Sequence, residues 1–414
     1  MAGSAHRRAR RGTLKIGTIM RKSFLFTSES VAEGHPDRVC DTIADAIVDK
    51  FLQQDPYSHV VTECALSKGL VFVAARFASK ATVDIPELAR KVVGEVGYRK
   101  EGFNASECTV VTSLTAQPVE QRYEWDERQL TDKELDRIVV RNQITQFGFA
   151  CTQTADLMPF PIAMANRLAR QLRAARESKA IPYLSPDCTT QVGVEFVEGA
   201  PRRVHSVTLI VGQQGRDPVD LADLRNDLTK HVVQPAFLGA AVQPDEATDL
   251  FVNPRGGFAK SGPVAHSGMT GRKTASDTYG GYARHAGSAL SGKDPCRMDR
   301  VGAYAARYAA KNVVAAGLAE ECEVQLSYTI GQARPVSIEV RTFGTGIIAE
   351  DVIEARLAEC IDFRLGALIR DFDLRHLPSL HKGSFYRKLP VYGHIGASFE
   401  ELPWERVDVA GKLK

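Results

Sequence analysis

The sequence predicts an α+β fold built from three similar modules. Three observations carry this. One order of elements (helix, two strands, helix) recurs three times along the 414 residues. The hairpins begin near His59, Gln191 and Glu323, at even intervals. A chain of this length also exceeds what one hydrophobic core ordinarily organises.

Pro36 to Gln53 reads as a helix because Val39, Ile43, Ile47 and Phe51 fall on one stripe and Pro36 suits a first helical position. His59–Leu66 and Leu70–Phe77 are apolar and β-rich about the turn Ser67-Lys68-Gly69, and Ile85–Val96 returns to helical spacing. The second module reads as a helix over Ile162–Arg176, strands Gln191–Val197 and Val204–Val211 about Glu198-Gly199-Ala200-Pro201, then a helix over Leu221–Val232. The third reads as a helix over Val301–Ala316, strands Glu323–Ile330 and Pro335–Arg341, then a helix over Asp351–Phe363.

Composition narrows the functions. A hydrophobic share of 44% and a charged share of 25% suit a water-soluble globular protein, and no apolar run is long enough to span a bilayer. With a net charge of only +3 and no basic residues interleaved with aromatics, nucleic acid is a poor main partner. The eight cysteines lack metal-ligand spacing, so buried thiols, such as Cys40 and Cys360, in a reducing cytoplasm are expected. Residues 1–20 are basic and free of acidic side chains, and read as a disordered extension, or as sequence ahead of a start at Met20, rather than a transit peptide.

The stretch from Gly262 to Asp299 holds the densest chemistry. Thr270-Gly271-Arg272-Lys273, Asp277-Thr278-Tyr279-Gly280-Gly281 and Ser291-Gly292-Lys293-Asp294-Pro295 mix glycines, cations and carboxylates. Arg272, Lys273 and Lys293 can neutralise phosphate oxygens, and Asp294 or Asp299 can hold a hard cation such as Mg²⁺. A solvated polar loop explains the charges but not the glycines.

With Phe26-Thr27-Ser28-Glu29-Ser30-Val31, Glu33-Gly34-His35-Pro36-Asp37, Thr342-Phe343-Gly344-Thr345-Gly346, Tyr392-Gly393-His394 and Pro403-Trp404-Glu405 in the same order, the chain resembles the methionine adenosyltransferase (S-adenosylmethionine synthetase) family from Phe24 to Glu405. The resemblance implies three pseudo-symmetric α+β domains, which we place at 22–120, 138–257 and 258–405, with strands exchanged between them. It also implies a homodimer or homotetramer with active sites between subunits, and attack of a thioether sulfur on C5′ of ATP. The released triphosphate is then cleaved to pyrophosphate and phosphate.

Carried over residue by residue, His35 matches the histidine near the triphosphate, and Arg272, Lys273 and Lys293 the triphosphate cations. Asp37 and Asp299 match the Mg²⁺ carboxylates and Glu63 the K⁺ ligand. Phe258 matches the aromatic that stacks on adenine and Asp187 the ribose carboxylate, while Gln117 and Ile330 match residues lining the methionine pocket. By composition alone Phe258 and Ile330 would be core residues.

The chain departs from the family pattern inside the same site. Val139-Val140-Arg141-Asn142-Gln143-Ile144 replaces a glycine-rich loop, so Asn142 stands for an aspartate, and Thr189 stands for a lysine near the phosphates. Arg76 and His266 stand for carboxylates that serve the methionine ammonium, and Arg297 stands for a lysine. Such a pocket favours an acceptor more anionic than methionine. Hydrolysis of ATP or tripolyphosphate without adenosyl transfer, and a weakly active partner subunit of a true synthetase, are the alternative functions. The run Glu120 to Arg137 corresponds to the family's mobile loop, and its composition equally suits a solvated loop or exposed helix.

Overall fold

The computed structural model describes residues 23–100, 103–120, 125–214, 219–256, 261–396 and 402–414. The basic stretch at 1–20 and Phe258 lie outside the described residues.

Strand β1 (Ser23–Val31) leads into α1 (Pro36–Gln54), the hairpin β2 (His59–Ser67) and β3 (Leu70–Ala78), α2 (Ile85–Val96), a short ladder of β4 (Arg99–Lys100) with β5 (Phe103–Asn104), and β6 (Thr109–Ala116). One turn, α3 (Asp132–Leu135), precedes β7 (Ile144–Cys151), α4 (Phe160–Glu177), the long hairpin β8 (Leu184–Val197) and β9 (Ala200–Gln213), α5 (Leu221–Leu228), α6 (Gln234–Phe237) and β10 (Asp249–Val252). The rest carries β11 (Gly268–Met269), α7 (Thr274–Asp277), α8 (Met298–Ala315), β12 (Glu321–Tyr328), β13 (Ser337–Arg341), α9 (Glu350–Cys360), α10 (Leu365–Asp371) and α11 (Leu377–Leu380).

Helix, hairpin and helix therefore recur as α1-β2-β3-α2, α4-β8-β9-α5 and α8-β12-β13-α9, and the fold class is α+β. The even spacing is not kept, because the hairpins start at His59, Leu184 and Glu321. Ser185-Pro186-Asp187 looks like a loop in sequence, yet the strand continues through it by way of a register shift between Leu184 and Cys188. That irregularity carries Asp187.

Each hairpin gains a strand from a remote part of the chain. β1 runs antiparallel to β8, with Val31 opposite Thr189, and β7 runs antiparallel to β12. β11 returns to β2, Gly268 facing Leu66, in a sheet ordered β11-β2-β3-β6. One hydrophobic core spans α1, α2, α8 and the hairpins β2-β3 and β12-β13, and a second fills the space under β8-β9 against α4 and α5. All eight cysteines are free thiols; Cys360 is half-buried rather than buried, because it sits at the end of α9. Among the described residues no helix is long and apolar enough to cross a membrane.

Candidate active site

One stripe of α1 organises the site. Asp37, Asp41, Asp45 and Asp49 recur every four residues, so they share a helix face, and all four are buried. Asp37 and Asp41 together fasten the 269–273 segment, and Asp45 and Asp49 each fasten another. Asp37 accepts the Met269 N–H at 3.0 Å and Lys273 Nζ at 2.8 Å. Asp41 accepts the Gly271 N–H at 2.8 Å and pairs with Arg38 at 3.3 Å. Asp45 accepts the Gly292 N–H at 2.8 Å and pairs with Arg300. Asp49 accepts the N–H groups of Phe385, Tyr386 and Arg387 at 3.0, 2.9 and 3.0 Å. Burial pushes the Asp45 and Asp49 carboxyls up, to about 6 and about 7. Burial opposes ionisation of Asp37 too, but Lys273 prevails and holds it below the usual range.

The loops approach so closely that only glycine fits at two points. A Cβ on Gly268 would lie 2.2 Å from the Pro36 carbonyl carbon, and one on Gly292 would lie 2.1 Å from the Thr62 oxygen. Gly292 also adopts a φ of +77°.

A first group of side chains collects at the N-terminus of α1. His35 is the residue that caps this helix, its Nδ1 accepting the Asp37 N–H at 3.2 Å. Arg272 lies 3.7 Å from Asp37, on the exposed side of Lys273. The His35 ring stands 4.9 Å from that of His266, whose Nε2 is 3.0 Å from Asp187 Oδ2. The same Asp187 oxygen accepts the Gly262 N–H at 2.6 Å. Burial lowers His35 to about 4, against the pull of Asp187, so its ring is neutral near pH 7. His266 is raised instead, chiefly by its hydrogen bond to Asp187. His266 thus comes with a carboxylate beside it.

A second group forms where α8 begins. Lys293 Nζ is 3.0 Å from Asp299, and Asn142 donates to the other Asp299 oxygen at 2.9 Å. Lys293 also bridges to Val61 of β2. The segment 139–144 is tied to the turn bearing Ile330, because Val140 and Gln332 pair at 2.9 Å and Gly331 and Val140 at 3.0 Å. Ile330 is 63% exposed, so composition alone misplaces it in the core. Asp294 accepts the N–H groups of Val60 at 2.8 Å and Cys296 at 2.7 Å, and it stands beside His59 and the Cys296 thiol. Arg297, half-buried, donates its N–H to Asp294 O at 3.1 Å and precedes the first turn of α8.

A third group lies on the open face of the β11-β2-β3-β6 sheet. Arg76 of β3 stands between Val61 and Thr115, Glu63 faces Ala74, and the Gln117 N–H reaches Phe77 O at 2.7 Å. Among the described residues no hydrogen bond or ion pair joins Arg76 to His266, and none engages Glu63. Thr189 is half-buried in β8 between Val31 and Ile210. The charged run from Glu120 is not wholly solvated: Glu127 is fully buried and pairs with Arg375 at 3.1 Å, although 121–124 lie outside the described residues.

The donor set suits hard cations. Asp37 and Asp299 have carboxylate oxygens that could hold Mg²⁺, and the exposed Glu63 carboxylate could hold a larger, weakly bound ion such as K⁺. Sequence reading missed Asp45 and Asp49; their signal was the four-residue spacing of aspartates within an otherwise apolar helix.

Residues 23–119, 137–258 and 260–406 match, in turn, the N-terminal, central and C-terminal domains of S-adenosylmethionine synthetase. The chain is 44% identical to the S-adenosylmethionine synthase of Gloeothece citriformis over 408 residues, covering 95% of this chain and 97% of the relative. It is 45% identical to that of Thermosynechococcus vestitus over 407 residues, 94% and 97% of the two chains. With all three domains matched and a comparable identity along nearly the whole length, the chain belongs to the S-adenosylmethionine synthetase family of enzymes.

Proposed function

We propose that this chain transfers the adenosyl group of ATP to a small acceptor and cleaves the released triphosphate to pyrophosphate and phosphate, using Mg²⁺ and K⁺, and that its preferred acceptor is more anionic than methionine. In the first step the acceptor's nucleophile bonds to C5′ while the C5′–O bond breaks and its electron pair leaves with the triphosphate.

The observation that carries this reading is the pair of partly buried lysine–carboxylate contacts, Lys273 with Asp37 at 2.8 Å and Lys293 with Asp299 at 3.0 Å. Each can give a lysine to phosphate oxygens while its carboxylate takes a metal, so charge developing on the leaving group meets fixed cations. Bound Mg²⁺ would neutralise the same oxygens. His35 supports the reading: because Nδ1 accepts a backbone N–H, the proton of its neutral ring belongs on Nε2, a donor for a phosphate oxygen.

For the acceptor, Arg76 matters more than His266, since Asp187 offsets the latter. The test compares methionine with its 2-hydroxy analogue, which keeps the carboxylate and lacks the ammonium, by mass spectrometry of adenosyl products. The hydroxy acid is expected to give the higher kcat/KM, by about tenfold or more, as befits loss or gain of one charged contact. A preference for methionine sinks the acceptor assignment alone; phosphate release with no adenosyl product from either sinks transfer itself.

A further inference from the structure

Away from these residues, a cavity of about 560 Å³ opens among α1, α2, α4 and the segment 382–392, within the range of small-molecule sites. Its walls are cationic. Lys50, Arg170, Arg173, Arg387 and Lys388 line it and all are half-buried, with Lys91 and Lys382 at the exposed rim. Two carboxylates share the lining, and both are committed: Glu33 to Arg173 at 2.7 Å and to Arg176, Glu95 to Arg387 and to Lys91 at 3.9 Å. The lining keeps an excess of positive charge, and half-buried like charges are poorly screened by salt. Burial holds the Arg170 guanidinium, which lies over the Tyr392 ring, below its usual range.

Two hydroxyls point the same way. Thr42 and Tyr392 are buried and line the cavity; among the described residues Thr42 Oγ1 makes no hydrogen bond and the Tyr392 hydroxyl finds no acceptor for its proton. Buried hydroxyls are seldom left so. Phosphate oxygens would satisfy both, and would supply counter-charge to guanidinium and ammonium groups at once. Five half-buried cations against two carboxylates leave about three positive charges in the lining, more than the roughly two negative charges of one phosphate group.

We propose that this cavity binds a small ligand bearing two or more phosphate groups. The site does not rest on adenosyl transfer, although Glu33 in its wall lies two residues from His35. Calorimetric titration of the full chain with pyrophosphate, without metal, tests it. Replacing Lys50→Glu and Lys388→Glu together is expected to remove one binding site per chain, or to weaken it at least about tenfold, while Lys50→Arg with Lys388→Arg keeps it. Phosphate binding at Lys273 and Lys293 would appear as a separate site that the reversal leaves in place, so the two readings fail independently. A parallel titration with adenosine diphosphate separates the sources: loss in both arms assigns nucleotides, and loss with pyrophosphate alone assigns inorganic phosphates. Identical isotherms for the unaltered chain and the charge-reversed variant overturn the site.

Discussion

His266 and Asp187 show how one contact sets the charge state of a side chain. The hydrogen bond between them holds the histidine above its ordinary value of 6.5. The stabilisation from the pair is therefore complete below pH 6.5 and fades as pH rises through the raised pKa. An NMR titration should place the His266 midpoint above 6.5, and Asp187→Asn should return it to the ordinary range; a midpoint below 6.5 would falsify the pairing. Little of this was legible in the sequence. His35, Asp37 and Asp187 stood out only through their resemblance to a family pattern, whereas Lys273 stood out in its glycine-rich charged segment. The hydrogen bond that Val60 gives to Asp294 could not be read, because Val60 lies far away in the chain.

Among elements, local signals decided which boundaries could be read. Ile85–Val96 was read without error because Asp84 caps its start and Gly97, at φ +114°, ends it. The helix expected over Leu221–Val232 instead widens into a π turn at Thr229–Val233, just ahead of Pro235, which has no N–H to give. β8 was read short because a proline in a strand normally argues against one. β11 is too brief to leave a pattern, yet it brings Met269 to Asp37. Gly268→Val should force it off α1, costing about 1–3 kcal/mol of stability in urea unfolding and raising KM for ATP. Unchanged values for both would show that β11 does not position Asp37.

For the whole molecule, the open face of the β11-β2-β3-β6 sheet is the outstanding surface. Leu70, Phe72, Val111 and Met269 lie on it, 44%, 39%, 45% and 51% exposed, beside Glu63 and Arg76. The sequence marks β2 and β3 as apolar and β-rich, but the alternation that buries one face and leaves the other open and apolar is seen only in the fold. We propose that a second copy of the chain covers it and completes the site. Light scattering should report a dimer, and Phe72→Arg a monomer with little adenosyl product. A monomeric unaltered chain that turns over normally would exclude this.

The borrowed strands also impose an order on synthesis. β1 leaves the ribosome long before β8, and at translation speeds of about 5–20 residues per second it waits roughly ten to thirty seconds for its partner. Its hydrogen-bonding edge is open for that interval, a window in which a chaperone or a neighbouring nascent chain can reach it. The same wiring constrains inheritance, since a crossover that replaces one hairpin module with a relative's would pair strands of different ancestry in every sheet it touches.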